Sequence, residues 1–79
     1  ETLTIYRGFN VDGRHLGMSW TLNADTARNF ALRFGGHGRP QVASGTVSTA
    51  AVIAYLRGRG EDEIVVHPTN VTNVDVAEI

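Results

Sequence analysis

Gly60-Glu61-Asp62-Glu63-Ile64-Val65-Val66-His67-Pro68 runs three carboxylates directly into an apolar stretch that a proline closes. Ile64, Val65 and Val66 are β-branched, so the stretch reads as a strand beginning at the acidic triplet. Side chains alternate along a strand, which puts Glu61 and Glu63 on one face and Asp62 on the other. Two carboxylates ~7 Å apart on one face repel each other, and desolvation raises the pKa of at least one. A solvated strand start at the rim of a sheet tolerates such a pair. A site that uses negative charge requires it.

Working outward, Arg57 to Gly60 reads as a loop before this strand. Ala50 to Leu56 is a short apolar run, which period alone does not assign to helix or strand; a buried strand is the expectation. Gln41 to Val47 alternates through Val42, Ala43, Gly45 and Val47 and is expected to be a strand. After Pro68, Thr69-Asn70 suggests a hairpin into a last alternating strand, Thr72 to Ile79. Asn70-Val71-Thr72 matches a glycosylation sequon, a triplet that arises often by chance.

The first half of the chain opens with Thr2 to Arg7, an alternating strand that Gly8 is expected to end. Leu3 and Ile5 share one of its faces, and Arg7 falls at its last residue. That place suits either a solvating surface arginine or a side chain leaning into a cleft. Phe9 to Gly17 reads as a loop or loose hairpin, and Gly17 to Thr21 as a short second strand. On that strand Ser19 and Thr21 share one face, while Met18 and Trp20 share the other. Trp20 reads most simply as a core anchor, with a stacking platform for a ligand as the sharper alternative. Asn23 is a good N-cap, and Asp25 favours the helix dipole. Ala24, Ala27, Phe30, Ala31 and Phe34 then mark one face of a helix to about Arg33, which Gly35-Gly36 stops.

Composition narrows the function. The chain has 79 residues and no cysteine, which makes it a single small domain, 1–79, with no disulfide and no thiolate chemistry. Seven basic and eight acidic residues leave a formal charge of −1 and no basic stripe, so nucleic acid is an unlikely partner. No apolar run approaches the ~20 residues that cross a membrane. Leu3-Thr4-Ile5-Tyr6 reads as strand and not as a signal-peptide core, which leaves the compartment open and is compatible with cytoplasmic action. Glu1 in place of an initiator methionine suggests a processed chain or a domain cut from a longer one. His15, His37 and His67 lack metal-ligand spacing, so no metal site is expected. Gly35-Gly36-His37-Gly38-Arg39-Pro40 has the wrong spacing for a dinucleotide fingerprint and lacks the ending of a phosphate loop. No Gly-x-Ser-x-Gly elbow supports serine-hydrolase chemistry. The elements sum to an α+β domain, mostly antiparallel β with one clear helix.

Three strand-borne items then stand in order: Arg7, Ser19-Trp20-Thr21, and Glu61-Asp62-Glu63. That order resembles the toxin-like ADP-ribosyltransferases with an Arg-Ser-Glu signature and a Glu-x-Glu motif. Ile5-Tyr6-Arg7-Gly8 is similar to their first-strand arginine block. Gly17-Met18-Ser19-Trp20-Thr21 is similar to their Ser-Thr-Ser-type strand, although Trp20 stands where a small residue is common. A helix with Ala27-x-x-Phe30-Ala31 follows at the expected place. Gly60 to Pro68 resembles the Glu-x-Glu strand, its hydrophobic continuation and its terminating proline.

The resemblance implies a split β-sheet core and an enzyme that breaks the nicotinamide–ribose bond of NAD, its co-substrate, and passes ADP-ribose to a macromolecular acceptor, a protein arginine among the candidates. It implies that Glu63 stabilises the oxocarbenium-like transition state and that Glu61 orients or deprotonates the acceptor. It assigns Arg7 to the dinucleotide phosphates, Ser19 to holding Glu63 or the ribose, and Thr21 to supporting that strand. NAD glycohydrolase activity, with water as acceptor, and a non-catalytic NAD- or protein-binding module of the same fold remain the alternatives. Tyr55-Leu56-Arg57-Gly58-Arg59 is the one candidate for the aromatic loop that recognises the target protein.

Overall fold

A computed structural model of the chain describes residues 1–10, 17–33, 39–58 and 61–79. Six strands and one helix follow the chain in order: β1 (Thr2–Asn10), β2 (Ser19–Thr21), α1 (Ala24–Arg33), β3 (Pro40–Ser48), β4 (Val52–Gly58), β5 (Glu61–Val66) and β6 (Thr72–Glu78). Two single 3-10 turns, Thr49–Ala51 and Pro68–Asn70, precede β4 and β6. The strands lie in the order β4-β5-β2-β1-β3-β6, and every neighbouring pair is antiparallel. This is the α+β class expected from the strand and helix patterns.

The sheet is divided at its centre. β1 and β3 run in continuous register from Thr2↔Ser48 to Asn10↔Pro40. On the other side β2 follows β5 through Ser19↔Val65, Trp20↔Ile64 and Thr21↔Glu63. Between β1 and β2 the described residues share one rung, Tyr6↔Thr21. The sheet is therefore two three-stranded halves joined at a single point, each half free to twist away from the other.

Both halves contribute to one core of Ile5, Phe9, Trp20, Ala43, Val47, Ile64, Val66 and Val71. Alternation accounts for its membership: Ile5 and Phe9 share a face of β1, and Ile64 and Val66 share a face of β5. The opposite face of β1 receives α1. A Cβ at Gly8 would lie 1.9 Å from the Ala27 carbonyl oxygen, so the helix backbone rests directly on that glycine.

Gly8 is therefore a contact residue inside β1 and not the end of the strand. β1 continues to Asn10, Phe9 joins the core instead of the expected loop, and Arg7 is interior to the strand. The helix matches its expected span. Asn23 Oδ1 accepts from the backbone nitrogens of Asp25 and Thr26, as an N-cap does. Its buried stripe is narrower than expected, because a helix seated on one glycine has room only for small residues. Ala27 and Ala31 are buried, whereas Ala24 and Phe30 are exposed. Phe34 and the Gly35-Gly36 stop lie outside the described residues, as do His15 and His37.

The ambiguous run Ala50–Leu56 has its first residues in a 3-10 turn and the rest in β4, and that strand is not buried as expected, since Ile53, Tyr55 and Leu56 are exposed. Arg57 and Gly58, expected in a loop, extend β4 opposite Asp62 and Glu61. The hairpin expected at Pro68–Asn70 does not form. β6 pairs with β3, four places from β5 in the sheet order, so the 3-10 turn begins a crossover. Val71, at the end of that turn, drops into the core and fixes the crossing. His67, at the strand end, caps the turn by accepting from Thr69 N through Nδ1. Among the described residues no helix is long and apolar enough to cross a membrane.

Candidate functional site

The split places a polar cluster at the centre of the sheet. Antiparallel pairing alternates the direction of backbone groups. Met18 O accepts from Val66 N, and Leu22 N donates to Asp62 O, so these groups of the β2 segment face β5. The carbonyl of Ser19 accordingly faces β1, beyond the single rung at Tyr6↔Thr21 where the ladder has ended. A backbone carbonyl in that position needs another donor. Arg7 supplies it, with Nη1 donating to Ser19 O at 2.9 Å. Arg7 shares the core-facing parity of Ile5 and Phe9, and its guanidinium reaches the Ser19 carbonyl in the wedge between the halves. Partial burial lowers its pKa, the direction in which desolvation acts on a cation.

Ser19 joins this wedge to the acidic strand. Its hydroxyl donates to Glu63 Oε2 at 2.5 Å, a short charge-assisted bond across the β2–β5 pair. Arg7, Ser19 and Glu63 thus form one chain: guanidinium to carbonyl, and hydroxyl of the same residue to carboxylate. Ser19 touches both of the other residues named from motif order, Arg7 through its carbonyl and Glu63 through its hydroxyl, while alternation sets the Arg7 side chain on the core-facing side and Glu63 on the other. Glu63 is partly buried and Ser19 is exposed, and the Ser19 hydroxyl fixes the carboxylate.

Thr21 lies directly opposite Glu63 and is 8% exposed. Its Oγ1 accepts from Asn23 N at 3.1 Å, which couples β2 to the start of α1. It is buried and ties the strand to the start of the helix. Glu61 opens β5 opposite Gly58, and its side chain lies outside the described residues. Trp20 is a core anchor at 2% exposure, which leaves no face for a ligand to stack on. Tyr55, in the stretch considered for target recognition, donates its hydroxyl to Asp62 Oδ1 at 3.2 Å.

Two neighbours of the cluster were not among the expected site residues, although Leu56 lies in the stretch considered for target recognition and Gly17 heads the serine motif. Leu56 is the cross-strand partner of Glu63 on β4 and half-exposed, so an apolar residue stands beside the carboxylate across the strand pair. Gly17 lies against the Arg7 guanidinium: a Cβ there would fall 2.6 Å from Cζ. Leu56 reads locally as one residue of an apolar run, and Gly17 as punctuation. Neither pattern reports what another strand brings beside it.

No protein family, curated protein or solved structure matches this chain.

Proposed function

We propose that the chain is an NAD-dependent mono-ADP-ribosyltransferase. The observation that carries this reading is that Ser19, at the split, bonds Arg7 through its carbonyl and Glu63 through its hydroxyl. A cation and a carboxylate held on one residue suit a substrate that is anionic at its diphosphate and develops positive charge at its ribose.

In this reading Arg7 contacts the diphosphate, where a guanidinium offers paired donors. The bond between ribose C1 and the nicotinamide nitrogen breaks, and its electron pair neutralises the pyridinium. Glu63 stabilises the oxocarbenium ion left on the sugar, a task suited to a carboxylate fixed in advance by the Ser19 hydroxyl. An acceptor nucleophile then attacks C1 and gives its proton to Glu61. The acceptor is a protein side chain, with arginine the leading candidate.

The test is to incubate the protein with NAD labelled in its adenylate half and to follow free nicotinamide. Nicotinamide release with label retained on protein identifies a transferase. Release with free ADP-ribose identifies a glycohydrolase, and neither product leaves a binding module. Glu63→Gln conserves shape and removes charge, so release is expected to fall by about 100-fold or more with the thermal midpoint little changed. Normal turnover by that variant overturns the role given to Glu63.

A further inference from the structure

Gly17 does more than precede β2. A Cβ at this position would sit 2.6 Å from Cζ of Arg7 and 2.7 and 3.0 Å from its terminal nitrogens. The guanidinium occupies the space that a side chain at position 17 would fill. The carbonyl of the same glycine accepts from Trp20 Nε1 at 2.6 Å. Trp20 is clamped in the core that both halves share, so its indole is a fixed point. Gly17 lies two residues before β2, next to Met18, whose carbonyl accepts from Val66 N. The indole N–H adds a second tie to the core at the place where the segment touches Arg7.

We propose that Gly17 and Trp20 are positioning residues for Arg7. Gly17 leaves the seat that the guanidinium fills, and the indole N–H of Trp20 keeps the Gly17 backbone against it. The inference rests on reading Arg7 as the residue that receives the phosphates of NAD. An arginine side chain gives up much rotamer freedom when it binds. A seat that fixes the guanidinium in advance removes that loss from the binding step. It also explains a tryptophan within a strand motif otherwise made of small residues: the bulk belongs to the core and the N–H to the site.

The test uses the full chain carrying Gly17→Ala or Trp20→Phe. The first fills the seat, and the second keeps an aromatic ring but removes the tether together with part of the buried indole volume, a loss that thermal unfolding reads separately. Thermal unfolding, NAD affinity by calorimetry, and KM and kcat for nicotinamide release are measured for each. The expected result is KM and Kd for NAD raised about tenfold, the scale of one weakened charge-assisted contact, with kcat within about twofold. In an Arg7→Lys background the same substitutions are expected to add less than about twofold, because they act through the guanidinium.

Wild-type protein that neither binds nor cleaves NAD overturns the reading of the site, and this inference with it. Wild-type turnover with unchanged KM in both variants overturns the positioning role alone. So does a fall in kcat at constant KM, or a full effect persisting beside Arg7→Lys. If one variant fails to fold, the other decides. Failure of both to fold assigns the pair to the core and overturns the inference.

Discussion

Ser19 faces two ways, and the two functions separate by mutation. Its carbonyl is backbone and survives any substitution, whereas its hydroxyl is what holds Glu63. Ser19→Ala is therefore expected to leave Arg7 in place and release the carboxylate. If Glu63 acts on the ribose, kcat for nicotinamide release should fall about 10- to 100-fold while KM for NAD moves far less. A loss confined to KM would assign Ser19 to ground-state binding instead. Arg7→Lys makes the complementary prediction: one ammonium cannot reproduce the planar fork, so KM should rise and kcat largely persist. The lowered pKa of Arg7 adds no titration to this profile. Burial shifts its proton loss downward from a value far above neutrality, and its charge is complete at working pH. Stability removed by desolvating that charge is the same at every pH below its folded pKa. Unfolding curves across the neutral range should carry no step from this residue.

At the scale of elements, Gly8 shows how a local rule misleads. Glycine after an alternating run signals a strand end, and that is how Ile5-Tyr6-Arg7-Gly8 reads. The physical demand on Gly8 comes from α1, whose backbone at Ala27 and Ala31 leaves no room for a Cβ. Gly8→Ala is expected to lower the thermal midpoint by ~4 °C or more, since a misfit of ~1 kcal/mol shifts a domain of this size by that amount. Gly45→Ala should do less damage, because its nearest obstacle is a methyl of Val71 and not backbone. Equal losses at the two positions would mean that the helix yields as easily as a side chain. The strands themselves were legible because alternation is local, and Asn23 announced the helix because capping is local. Pairing was not legible. Pro68-Thr69-Asn70 has the composition of a hairpin turn, yet it starts a crossover because Val71 has a place in the core and β6 a partner in β3. The site divides the same way: Arg7, Ser19 and Glu63 were visible as ordered motifs on strands. The seat at Gly17 depends on which strands lie side by side, and no window of sequence states that.

For the whole molecule, the decisive property is that a sheet split in two has one core. Tyr6↔Thr21 is the only rung joining the halves among the described residues, so backbone pairing contributes little to holding them together. The apolar cluster does that work, with Ile5, Phe9, Ala43 and Val47 from one half and Trp20, Ile64 and Val66 from the other. A chain of 79 residues has a thin margin, and neither half could bury this surface alone. The halves should therefore unfold together. Ile64→Ala, in β5, removes a side chain that is 1% exposed and is expected to cost ~2–5 kcal/mol. That is a large fraction of the ~5–15 kcal/mol typical of a domain. Native-state hydrogen exchange locates the effect. Amide protection should fall in β3, at Ala43 and Val47, by the same factor as in β5, because the substitution reports on global opening. Protection lost from β5 and retained in β3 would mean that the half carrying Glu63 opens by itself. In that case the wedge holding Arg7 against Ser19 would be a moving part of the molecule, and the preorganisation argued for the site would fail with it.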